Sequence, residues 1–164
     1  MKTLILAAAL TAAPALAALA DAPGITVTDA YARSTNPRSG AVFMTVANAN
    51  AADCRITAAT ADVTPRAELH THAEENGMMK MTPVEAVTIP AGGTHALERG
   101  GDHVMLMALE TPLKDGDKVA LTLNMGACGT LPVEAVVDNK RPASGHKGGH
   151  AGGHAGHTMP MPSN

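Results

Sequence analysis

Histidine and methionine concentrate between Glu68 and Met107, in a chain with one Tyr, one Phe and no Trp. His70 and His72 are two positions apart, as are Met79 and Met81, and as are His103, Met105 and Met107. Residues at that spacing share one face of an extended strand. Leu69, Val104 and Leu106 fall between them and take the inner face in this phase. Each segment then reads as a strand with an apolar inner face and an imidazole or thioether outer face. Several outward thioethers have little packing use, and beside imidazoles they suit a soft metal ion. The opposite phase turns His103, Met105 and Met107 inward and explains any one of these residues at least as well. It does not explain three segments that all pair His or Met at period two, so the metal reading leads.

The elements that must hold these segments are themselves strands. Residues 25–31 alternate, residues 41–47 form a second β run, and residues 55–63 follow a turn signal at 48–50. Residues 84–89, 96–98, 119–123 and 131–137 are further short runs. Pro65, Pro83, Pro90, Gly92, Gly93, Gly100, Gly101, Asp115 and Gly116 punctuate them. Eight or more short strands without a helical period predict an all-β sandwich. A length of 164 residues allows one such domain, over 21–140, with a tail at each end. No internal repeat is present.

A family resemblance rests on the spacing. His70 is followed by ten residues and then Met81; twenty-one residues later come His103, Val104 and Met105. This pattern, with the surrounding text at 75–81, 89–93 and 100–107, resembles the periplasmic copper chaperones called PCu(A)C, over roughly residues 24 to 137. The resemblance implies a cupredoxin-like Greek-key version of the β-sandwich and a Cu(I) site made by His70, Met81, His103 and Met105. His72, Met79 and Met107 lie on the same faces as alternates. Met44 and Met78 read as packing or surface residues, and His95 as a surface strand histidine. The resemblance also implies delivery of copper to the CuA centre of cytochrome c oxidase subunit II, or of a related oxidase, often with a Sco-like thiol protein. The chemistry is coherent: Cu(I) accepts thioether and neutral imidazole, whereas zinc makes little use of thioether.

The two ends differ from the domain. Met1 and Lys2, an apolar run over 4–10 and a small-residue end at Ala18-Leu19-Ala20 describe a secretory signal peptide over 1–20, with Ala17 as a second cleavage point. This predicts periplasmic export without stable membrane insertion. Residues 141–164 predict a disordered tail in which His146, His150, His154 and His157 punctuate glycine pairs and Met159 and Met161 follow. Imidazoles on such a tail suit Cu(II), with Zn(II) or Ni(II) as competitors. Cys54 and Cys128 are outside the copper motif. An even count in an exported chain favours a disulfide over two thiols or copper ligands.

A net charge of −3 and the lack of aromatics argue against nucleic acid. No nucleophile–base arrangement, phosphate loop or carboxylate pair is marked, which argues against an enzyme, and the chain reads as a monomer. Three functions compete: the chaperone, a copper-buffering or resistance protein without a specific client, and a structural or adhesion-like sandwich.

Overall fold

The computed structural model describes residues 22–75 and 77–142. The expected signal peptide and the tail histidines His146, His150, His154 and His157 lie outside the described residues.

The described chain is all β apart from one turn of 3₁₀ helix at Gly126–Cys128. Its strands are β1 (Ile25–Asn36), β2 (Ser39–Asn48), β3 (Cys54–Ile56), β4 (Ala58–Ala61), β5 (Arg66–Glu75), β6 (Met78–Pro83), β7 (Val87–Ile89), β8 (Thr94–Leu97), β9 (His103–Met107), β10 (Lys118–Asn124) and β11 (Thr130–Val137). Nine of them form one sheet in the order β4-β10-β11-β1-β2-β9-β5-β6, with β8 also on β2; β3 and β7 form a small second sheet. The free side of β2 is shared, since Ser39–Val42 pairs with β9 and Met44–Ala47 with β8. Strand β1 pairs parallel with β11, and β4 packs against β5, so the sheet curls round a single core. The order is non-sequential, with β9 inserted between β2 and β5. The all-β architecture is the one anticipated from the strand pattern, and the non-sequential order fits the cupredoxin-like Greek-key version that the resemblance implied.

Alternation decides the two faces. In β10, Val119, Leu121 and Leu123 are buried and the residues between them are exposed. In β9, Val104 and Leu106 are fully buried. With Val42, Met44 and Val46 of β2, Leu69 of β5 and Ile56 and Ile89 of the small sheet, they form the main core. Full burial of such a side chain contributes roughly 1.5–3 kcal/mol, so the inner face fixes the outer one. A one-residue slip of β9 would cost both Val104 and Leu106.

Two features depart from the sequence reading. The run over 55–63 is not one strand: the chain breaks at Thr57, whose amide bonds to Asn124 O, and β3 and β4 join different sheets. In β1 a bulge lies between Thr28 and Tyr31, with Asp29 at φ 58°. Ile25 and Val27 pack on the core before it; Ala30 and Ala32 do so after it. The extra residue sends Tyr31 to the outer face.

Cys54 and Cys128 form a disulfide, with Cα atoms 5.9 Å apart and a sequence separation of 74. It ties β3 to the turn that precedes β11. In the chain-entropy model a loop of that length contributes on the order of 4 kcal/mol. The Cys54→Ser/Cys128→Ser protein should lose up to about that much stability. Denaturant melts of the oxidised parent and the variant check this, and coincident curves would show that the bridge constrains nothing.

Candidate metal centre

The outer face of β2, β9, β5 and β6 carries the candidate site. The cross-strand pairs are specific: Ala41 opposes Met105, Glu68 opposes Met105 from the other side, His70 opposes His103, and His72 opposes Met81. Directly paired side chains lie close enough to act on one ligand. The expected phase of β9 is the observed one, since Val104 and Leu106 point to the core and His103 and Met105 away from it.

The outer face is not bare. Tyr31, Ala41 and Phe43 form a second, small apolar cluster with Met105 packed against it. The Tyr31 and Phe43 rings are 5.1 Å apart, and Phe43 lies 5.9 Å from the His103 ring. The single Tyr and single Phe of the chain therefore build one wall beside the imidazoles. Arg141 stacks 4.1 Å from the Tyr31 ring centre and pairs with the Asp29 carboxylate at the bulge. Burial raises the Tyr31 phenol above its ordinary value, against the nearby arginines.

Ala41, Phe43, His72, Met81, Arg99, Gly100, His103 and Met105 line one open concavity of about 360 Å³. Met81 is 43% exposed and Met105 half-buried, while His103 is only 2% exposed. The His103 ring lies 5.4 Å from His72 and 6.0 Å from His70. Its Nδ1 donates to Gly101 O at 3.0 Å, which leaves Nε2 as the free lone pair. A backbone partner of this kind fixes a ligand's tautomer and aim. Burial holds the His103 imidazole below its ordinary pKa, with the neighbouring His72 and His70 adding to the effect. The ring is therefore neutral, as a metal ligand must be.

His70 is 9% exposed. Its Nε2 donates to the Glu68 carboxylate at 3.0 Å, and Arg66 holds the other oxygen of Glu68 at 2.6 Å. The His70 hydrogen bond, and then Arg66, lower the Glu68 pKa. With Nε2 so used, the lone pair falls on Nδ1, which is buried without a partner. A buried unmet acceptor costs about 1–3 kcal/mol, and an electrophile placed there would relieve it. The donor chemistry fits a soft cation: two imidazoles with fixed lone pairs and two thioethers. Among the described residues no group of three or more His, Cys, Asp and Glu side chains is placed to hold one ion, so the thioethers are essential to any site here.

Of the remaining residues, Met79 is exposed further along the hairpin and Met107 half-buried further along β9. Met44 is in the core and Met78 is exposed. His95 bonds Asp102 at 2.8 Å. The aromatic wall, Gly101 and Glu68 escaped the sequence reading; the one signal was that the only Tyr and Phe sit in adjacent strands.

The lowered His103 pKa has a sign. The unfolded chain, with an ordinary imidazole near 6.5, takes up a proton before the folded one does. The stability is complete above that value and falls as pH drops below it. The slope is at most about 1.4 kcal/mol per pH unit. The metal-free protein should melt progressively lower between about pH 7 and about pH 5, and His103→Gln should flatten the slope. Equal slopes would show that His103 is not the cause.

The family model "Putative lipoprotein LpqE-like" matches residues 25–137. "Putative lipoprotein Lxx21020" of Leifsonia xyli subsp. xyli is 32% identical over 117 residues, 71% of this chain and 70% of the relative. The solution structure of CuI-DR1885 from Deinococcus radiodurans is 37% identical and covers 73% of this chain and 83% of its own, with a TM-score of 0.53. The copper-bound PCuAC domain from PmoF2, at 17% identity, covers 70% of this chain and 92% of its own with a TM-score of 0.59, a likeness of fold. The chain belongs to the LpqE-like family and has the PCuAC domain fold, as the motif spacing anticipated.

Proposed function

We propose that this protein is a copper chaperone of the cell envelope that carries Cu(I) as cargo on His70, Met81, His103 and Met105. The single observation behind the reading is that two thioethers and two imidazoles, each with one ring nitrogen left without a partner, share one outer face whose cross-strand pairs are fixed by the core beneath. The 37% identity to CuI-DR1885 supports copper as the ion. Thioethers need no deprotonation and, unlike thiolates, are not lost to disulfides in an oxidising compartment. The disulfide suits such a compartment, and no helix among the described residues is long and apolar enough to cross a membrane. We read the protein as a monomeric periplasmic carrier and not as an enzyme. Its client would be the CuA centre of cytochrome c oxidase subunit II or of a related oxidase, with a Sco-like thiol protein as accessory.

Copper transfer from the loaded protein to apo oxidase subunit II, with and without a reduced thiol partner, tests this reading. Transfer of one copper per carrier is expected. Retention of copper under both conditions would favour the second reading, a buffering protein without a specific client. That reading draws on His146, His150, His154 and His157, whose number exceeds what one delivered ion requires.

A further inference from the structure

We propose that His72 is a direct copper ligand of this site, the imidazole that joins His103 in the open concavity and exchanges there with the His70 of the spacing motif. The inference rests on the copper reading above and deepens it. His70 and His72 have the same parity on β5, so the sequence does not separate them, but the sheet does. His72 is the direct cross-strand partner of Met81, whereas His70 faces His103 on one side and Pro83 on the other. The concavity that holds Met81, His103 and Met105 is lined by His72 and not by His70.

The second-sphere arrangement points the same way. The Nδ1 atoms of His103 and His72 lie 3.0 Å and 3.5 Å from one carbonyl, Gly101 O. With both Nδ1–H groups turned to that oxygen, both Nε2 lone pairs are left free. His70 is bound in the opposite sense, with Nε2 given to Glu68 and Nδ1 buried. The face therefore offers His70 through Nδ1 and both His72 and His103 through Nε2, two at a time for one ion. His72 is the most open of the three rings. A carrier that releases its ion by stepwise ligand exchange needs a donor that can let go first, and an open ring beside an exposed thioether is suited to it.

Ring-nitrogen NMR of the full-length protein titrated with one equivalent of Cu(I) tests the proposal, since Cu(I) is diamagnetic and each histidine is read separately. Nε2 of both His72 and His103 should shift from the free-imidazole position. His95, held by Asp102, should stay put. His72→Gln should raise the Cu(I) dissociation constant at least tenfold with an unchanged melting temperature. Unshifted His72 nitrogens alongside shifted His70 and His103 would overturn the proposal, as would a His72→Gln protein that binds like the parent. If His70, His103 and the Met81 and Met105 methyls all fail to respond, the copper reading itself fails, a distinct outcome.

Discussion

Met81→Leu and Met105→Leu should each weaken Cu(I) binding by on the order of 100-fold or more while the protein stays folded. Removing a group that only orients a metal ligand already costs about 10- to 100-fold, so removing a ligand sulfur costs at least that much. Leucine keeps the hydrophobic volume and deletes only the sulfur; such swaps cost less than about 1.5 kcal/mol even when buried. Met81 is 43% exposed, so its stability change should be under about 0.5 kcal/mol. Met105 packs on Tyr31, Ala41 and Phe43 and should fall between these limits. Competition against a chromophoric Cu(I) chelator reads the affinity, and thermal melts read the fold. Parent-like affinity in both variants would remove the thioethers from the site and, with them, the reason to choose copper.

A truncation after Ala143 should lose most Cu(II) binding and keep one Cu(I). Four imidazoles spaced by glycine in the sequence can satisfy the tetragonal preference of Cu(II), whereas the thioethers of the domain favour the reduced ion. Ordinary imidazoles titrate near pH ~6.5, so mild acid should release the tail's Cu(II) first. Thioethers carry no competing proton, and His103 is already held neutral by burial, so Cu(I) in the domain should resist acid better. Calorimetry with each oxidation state, on the full and shortened chains, decides the matter. If the shortened chain keeps its full Cu(II) stoichiometry, the tail is only a linker.

Much of the site was legible because period-two alternation is a local property. His-Val-Met-Leu-Met at 103–107 announces its two faces within five residues, and the buried Val104 and Leu106 enforce them. The runs at 119–123 and 131–137 were legible for the same reason, and the observed strands Lys118–Asn124 and Thr130–Val137 extend them by a residue or so. What could not be read is register, which depends on a partner strand. Nothing local tells that His72 meets Met81 while His70 meets His103, although that pairing sets which imidazole lines the concavity. The bulge in β1 also hides from alternation. Counting from Ile25 puts Tyr31 on the core side with Val27, and only the extra residue near Asp29 returns it to the outer face. The split at Thr57 was missed because both halves have β character and only their partners differ. Gly101 acts through its carbonyl, which no residue letter reveals.

The disulfide also sets a schedule. Its roughly 4 kcal/mol corresponds to about a thousandfold in the ratio of folded to unfolded chain. A newly made chain in a reducing compartment would lack that factor. The strands that carry His70, His72, His103 and Met105 share one sheet with β11, whose preceding turn holds Cys128. If the bridge forms only on an oxidising side of the membrane, the sheet that carries these residues would gain that factor there and not in the compartment where the chain is made.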